Sequence, residues 1–203
     1  NPIKLAMEII KKLGDVQISK IEGGSRVNVI PRNAYIKFTT NNTDAEKIIK
    51  NEIAKQKEFY GKEVKIELNK IDNISNIIDE ESTKKIINFI TEFQNGAIKR
   101  DEKGIVLQSG NMAKIQTNEE NIEIEFSERS NVYEYEKEYL ENLNNLIKKY
   151  DMEILWYQNL KGVPKNEKNL LADKCKKVYK ELFKKDLQEV ISQGVVEGGF
   201  FTS

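Results

Sequence analysis

Residues 122–126 read Ile122-Glu123-Ile124-Glu125-Phe126, an apolar–acidic alternation of period two. Successive side chains of a β-strand point to opposite faces, so this stretch predicts a half-buried strand with Ile122, Ile124 and Phe126 turned inward. Working outward, strands are expected just before it at about 105–108 and 112–117. A helix is expected just after it at about 132–149, with Tyr139, Leu143, Leu146 and Tyr150 on one face. Upstream, Ser82 reads as the cap of a helix whose Ile86, Ile90 and Phe93 share a face. Downstream, 152–158 reads as a closing strand, in which Trp156 and Tyr157 serve core and edge packing.

The earlier part of the chain repeats this order. Pro2 sits at a first helical position, and Ile3, Met7, Ile10 and Leu13 fall on one face before Gly14 stops the helix. A strand is predicted at about 16–21, a turn at Glu22-Gly23-Gly24-Ser25, a short extended piece at 27–30 ended by Pro31, and a strand at 35–39. Thr43 and Asp44 offer a cap to a helix with Ala45, Ile49 and Ile53 as its buried stripe. Val64, Ile66 and Leu68 alternate with Lys65 and Glu67 as a further strand. Two halves, about 1–71 and 81–158, thus share the order helix, strands, helix, strand. The fold class expected is α+β: two ferredoxin-like split β-α-β units sharing one sheet.

The last section differs. Residues 159–169 form a Gly/Pro/Lys/Asn linker, and a helix at about 167–184 places Leu171, Cys175, Val178 and Leu182 on an inner face. A strand at 187–192 and a loop follow. One helix and one strand cannot cover each other's apolar faces, so residues 159–203 are expected to be a linker and a helix–strand tail completing another domain. The lysines at 174, 176, 177, 180, 184 and 185 read as a solvated face.

Composition narrows the functions available. Of 203 residues, 33 are Lys or Arg and 33 are Asp or Glu, so no global field draws the chain to nucleic acid or a membrane surface. An RNA-binding module of ferredoxin-like topology should carry a basic-Gly-aromatic string on a central strand, and none is present. Nor does any apolar run approach the roughly 20 residues that span a bilayer. The single cysteine, Cys175, cannot form an internal disulfide, which fits a cytoplasmic setting. There is no histidine. That excludes Ser–His and Cys–His nucleophile pairs and leaves a zinc site only one cysteine and carboxylates. No catalytic residue and no metal ligand is assigned within the chain.

Five stretches carry a resemblance. They are Asn1-Pro2-Ile3-Lys4-Leu5, Gly23-Gly24-Ser25-Arg26-Val27-Asn28-Val29-Ile30-Pro31-Arg32, Gly104-Ile105-Val106-Leu107-Gln108-Ser109-Gly110-Asn111-Met112, Ser127-Glu128-Arg129-Ser130-Asn131-Val132, and Gln193-Gly194-Val195-Val196-Glu197-Gly198-Gly199. In this order they resemble stretches of the aminoacyl-histidine dipeptidase (Xaa-His dipeptidase) family of di-zinc metallopeptidases. Departures fall at Gln193, where the family has histidine, at Gly110 for asparagine and at Gly198 for cysteine.

The resemblance implies that 1–158 is a lid and dimerisation domain inserted in a catalytic domain, to which the tail returns. The parent would be a cytoplasmic homodimer that hydrolyses dipeptides with two zinc or similar divalent ions, their ligands lying outside this chain. It also implies substrate-binding roles for Asn28, Asn111, Arg129, Gly198 and Gly199. Each has a plainer reading. Asn28 and Asn111 suit turns, Gly198 and Gly199 suit a turn as well as a backbone cradle for a carboxylate, and Arg129 suits a surface ion pair with Glu128 or Glu134. Arg129 is expected in a loop past the 122–126 strand, where a guanidinium can grip a carboxylate with two hydrogen bonds. A function of another class stays open: a stand-alone ferredoxin-like small-effector binding or assembly module.

Overall fold

The computed structural model describes residues 1–61, 64–160 and 169–188. The elements run α1 (Pro2–Lys11), β1 (Gln17–Gly24), β2 (Ala34–Thr39), α2 (Ala45–Tyr60), α3 (Glu80–Glu92), β3 (Gly96–Arg100), β4 (Val106–Thr117), β5 (Ile122–Ser130), α4 (Tyr133–Lys149) and α5 (Leu170–Phe183). One unit comprises Asn1–Glu153 and a second Ile154–Ser203.

In the first unit the five strands form a single antiparallel sheet, as the shared-sheet α+β expectation requires. Its centre is β4. One edge of β4 takes β3 along Val106 to Gly110 and β1 along Lys114 to Gln116, and the other edge takes β5 from end to end. The register shift between Met112 and Lys114 lets Met112, Ala113 and Ile115 all be buried. The predicted helical stripes reach the core: Ile3, Met7, Ile10 and Leu13 of α1 and its end, Ile86, Ile90 and Phe93 of α3 and its cap, and Tyr139 of α4 pack with Ile18, Ile21, Met112 and Ile115 of the sheet. Phe93 lies against Phe126 (ring centroids 5.3 Å) and Tyr139 (6.4 Å), joining two helices and a strand at one point.

The ends are fastened by specific polar contacts. Asn1 caps α1 by accepting from the Ile3 and Lys4 amides, and its own amide donates to Asn95 Oδ1 and the Met112 carbonyl. Lys4 Nζ donates to the Phe93 carbonyl (2.7 Å) at the C-terminal cap of α3, where a cation suits the helix dipole. Burial lowers the Lys4 pKa against the opposing pull of Glu8.

Several expectations change. Asp79, not Ser82, caps α3, since its carboxylate accepts from the Ser82 amide. Glu22, Gly23 and Gly24 belong to β1 rather than a turn, while 27–30 is turn and bend rather than extended. The strands expected at 105–108 and 112–117 are one strand, β4, and β3 was missed. Neither 64–68 nor 152–158 joins the sheet. The alternation at 64–68 survives in burial, with Val64 and Ile66 half-buried beside exposed Lys65 and Glu67, but a strand also needs a ladder partner. Ile154, Leu155, Trp156 and Tyr157 are exposed instead of packed.

In the second unit α5 has no buried residue, so Leu171, Cys175, Val178 and Leu182 form no inner face among the described residues. Most of the strand expected at 187–192 lies outside the described residues.

Candidate functional site

Alternation divides β4 and β5 between two surfaces. Gly110 faces Glu128 and Met112 faces Phe126 on the side covered by helices. The intervening pairs, Ser109 with Arg129 and Asn111 with Ser127, stand on the opposite, open side. Farther along that side Lys114 and Glu125 form an ion pair (3.1 Å), and on β1 Lys20 pairs with Glu22 (2.6 Å). These positions of the open side are polar or charged.

Gly24 sends the chain onto this surface. Its φ is +74°, and a Cβ there would lie 1.9 Å from the Ala113 carbonyl oxygen, so a side chain would collide with the bulged stretch of β4. Beyond it, Val29 N–H donates to the Arg26 carbonyl (3.1 Å) and closes a turn at 26–29 with Asn28 at its third position. The Val29 carbonyl accepts from Asn111 Nδ2 (3.0 Å), and the Val27 carbonyl from Ser127 Oγ (2.9 Å). Asn28 itself is exposed.

The structure thus brings Asn28, Asn111 and Arg129 to one surface, though not all as expected. Arg129 lies within β5, not in a loop. As neighbours on a strand, Arg129 and Glu128 point to opposite faces, which removes one ion pair expected for it. No acidic partner of its guanidinium is found among the described residues. Asn111 is in mid-strand, its amide engaged by the Val29 carbonyl. Gly198 and Gly199 lie outside the described residues. Ser127 was missed; its position directly across the ladder from Asn111 follows only from a register that sequence does not fix.

Behind this surface sits a buried polar group. Gln108, 1% exposed, donates from Nε2 to Glu128 Oε1 (2.9 Å) and to the Tyr135 carbonyl (2.7 Å). Burial, and then the charge of Glu136, raises the Glu128 pKa, with the Gln108 hydrogen bond opposing. Tyr139 OH is buried without a hydrogen-bond partner among the described residues, and burial first, then Glu128, pushes its pKa up.

Among the described residues no group of three or more Cys, Asp or Glu side chains could hold a metal ion. No helix among them is long and apolar enough to cross a membrane. The open side presents hydrogen-bonding and charged groups from β4 and β5.

Residues 1–64 match the model of the peptidase dimerisation domain. These residues, less than half of the chain, are thus similar to a peptidase dimerisation domain. The match covers α1 to α2, the first of the two halves. The fold as a whole is similar to the crystal structure of aminoacylhistidine dipeptidase from Vibrio alginolyticus, with a TM-score of 0.83 at 17% identity. That likeness covers 98% of this chain and 43% of the other, so the chain spans less than half the length of that dipeptidase. No curated protein matches in sequence. The family resemblance is borne out at the level of the fold, and the dimerisation-domain reading is favoured over a stand-alone effector module.

Proposed function

We propose that the chain is the lid and dimerisation part of a cytoplasmic, metal-dependent dipeptidase, with Asn28 and Arg129 contributing to the surface that binds the peptide. The observation that carries the reading is the peptidase dimerisation match joined to a guanidinium that stands, without an acidic partner among the described residues, beside a fastened turn. A desolvated arginine–carboxylate pair suits the free terminus of a dipeptide, because the planar donors match the carboxylate geometry. Residues 1–158 form the lid on this reading, and 159–203, with Gly198 and Gly199, return to the catalytic domain. The exposed apolar residues of α5 support that return, since Leu170, Leu171, Leu182 and Phe183 need a cover. Residues outside this chain would hold two divalent ions, zinc or similar, in the catalytic domain, and the ions would supply Lewis-acid chemistry there. The lid's own contributions are to hold the substrate carboxylate, to exclude water and to form the homodimer.

The intact protein is the test. It should sediment as a dimer and hydrolyse dipeptides with added zinc, cobalt or manganese, while the 203-residue chain shows no activity under the same conditions. Peptidase activity that follows the 203-residue chain through purification, or an intact protein inert towards every dipeptide, would end this reading.

A further inference from the structure

The turn at 26–29 is tied to the sheet by two side chains from two strands. Asn111 and Ser127 are cross-strand partners, so their donor atoms stand side by side on the open face. The carbonyls that receive them, Val29 and Val27, are two residues apart and flank Asn28. With the Arg26–Val29 hydrogen bond between them, the peptide groups on both sides of Asn28 are held while its side chain is left exposed. The next pair on this face is Ser109 with Arg129. Two residues of strand separate Ser127 from Arg129, or about 7 Å.

We propose that Asn111 and Ser127 are positioning residues, a two-point clamp that sets the turn so that Asn28 and Arg129 address one peptide carboxylate together. This rests on the dipeptidase reading and changes one part of it. Asn111, expected to contact substrate, acts through the backbone of Val29, and Ser127 joins it. The clamp needs donors at both points. Asp at 111 would set a carboxylate against the Val29 carbonyl and open it, Ala at 127 would remove the hydroxyl, and Thr at 127 would keep it.

Hydrogen exchange and steady-state kinetics of the intact protein test this together. Asn111→Asp and Ser127→Ala should each speed exchange of the amides in 25–33 about tenfold, leaving the β4–β5 ladder amides as they were. Each should raise KM for a dipeptide about tenfold with kcat within about twofold, the pattern of lost uniform binding. Ser127→Thr should restore both. Unchanged exchange overturns the clamp. Faster exchange with unchanged KM overturns the positioning role. An unmutated protein that hydrolyses no dipeptide overturns the functional reading and this assignment with it, while the exchange result still decides separately whether the clamp exists.

Discussion

The two faces of the sheet are built from alternate residues of the same strands and carry opposite kinds of chemistry. On β5, Ile124 and Phe126 join the helices in one core while Glu125, Ser127 and Arg129 stand on the open side. On β4, Met112 and Asn111 are adjacent in sequence, one fully buried and one half-exposed with its amide on another segment's backbone. The covered face is held by apolar burial, which is strong and indifferent to direction. The open face is held by single hydrogen bonds and ion pairs, each worth little to stability but fixed in geometry. Stability and recognition should therefore come apart under mutation, face by face.

Phe93→Ala tests the covered face hardest. The ring is 1% exposed and meets Phe89, Phe126 and Tyr139, so its loss should cost about 3–5 kcal/mol of unfolding free energy in urea titrations. A cost below about 1 kcal/mol would mean that this core is not where the fold is held.

Arg129→Ala is the counterpart on the open face. In the intact protein it should lower kcat/KM for a dipeptide by about 2–5 kcal/mol of binding, since a desolvated charged hydrogen bond is lost. The unfolding free energy from urea titration should stay within about 0.5 kcal/mol, because little packing rests on an open-face side chain. Arg129→Lys should recover only part of the activity, as lysine keeps the charge without the paired donors. Kinetics unchanged by Arg129→Ala would reduce the residue to surface charge.

Gly110→Ala probes the boundary between the faces. A Cβ there would come within 2.4 Å of the Gln94 carbonyl oxygen and 3.1 Å of Tyr139 OH, so the turn between α3 and β3 must move. The expected cost is about 1–3 kcal/mol in thermal or urea unfolding, with the open face undisturbed. The same contact shows what the sequence could and could not reveal. Ser109-Gly110-Asn111 has the composition of a turn, and so β4 read as two strands; the glycine is there because the Gln94 backbone lies against it, a tertiary fact. Gly23 and Gly24 misled in the same way, since Ile3 and the Ala113 carbonyl approach them inside the sheet. Helical stripes were legible because a period of 3.6 is local, and the 122–126 strand because its alternation is. Strand β3, Gly96-Ala97-Ile98-Lys99-Arg100, has one large apolar residue and no alternation to read. Of the site, the residue types were visible but not their grouping, because the Asn111–Ser127 and Ser109–Arg129 pairs depend on register.

Glu128 should show the smallest effect, because it is a charge on the covered face, where the comparison allows none without cost. Its surroundings are Gln108 of β4, and Tyr139, Glu136 and the Tyr135 carbonyl of α4. Burial and Glu136 hold its proton to higher pH in the folded state than in the unfolded chain. The folded state then binds more protons than the unfolded state between the two pKa values, and stability falls as pH rises through that window. The contribution is complete below the ordinary glutamate value of about 4.3 and lost above the raised one. Glu128→Gln removes the ionisation and keeps an oxygen to accept from Gln108 Nε2. In urea titrations at neutral pH the variant should be more stable than the unmutated protein by up to about 1 kcal/mol, a figure kept small by solvent screening at a half-buried group. The difference should shrink towards zero near pH 4, where both side chains are neutral. A variant less stable at neutral pH would mean that the ionised carboxylate gains more from Gln108 than burial takes away, and the covered face would then tolerate charge on the same terms as the open one.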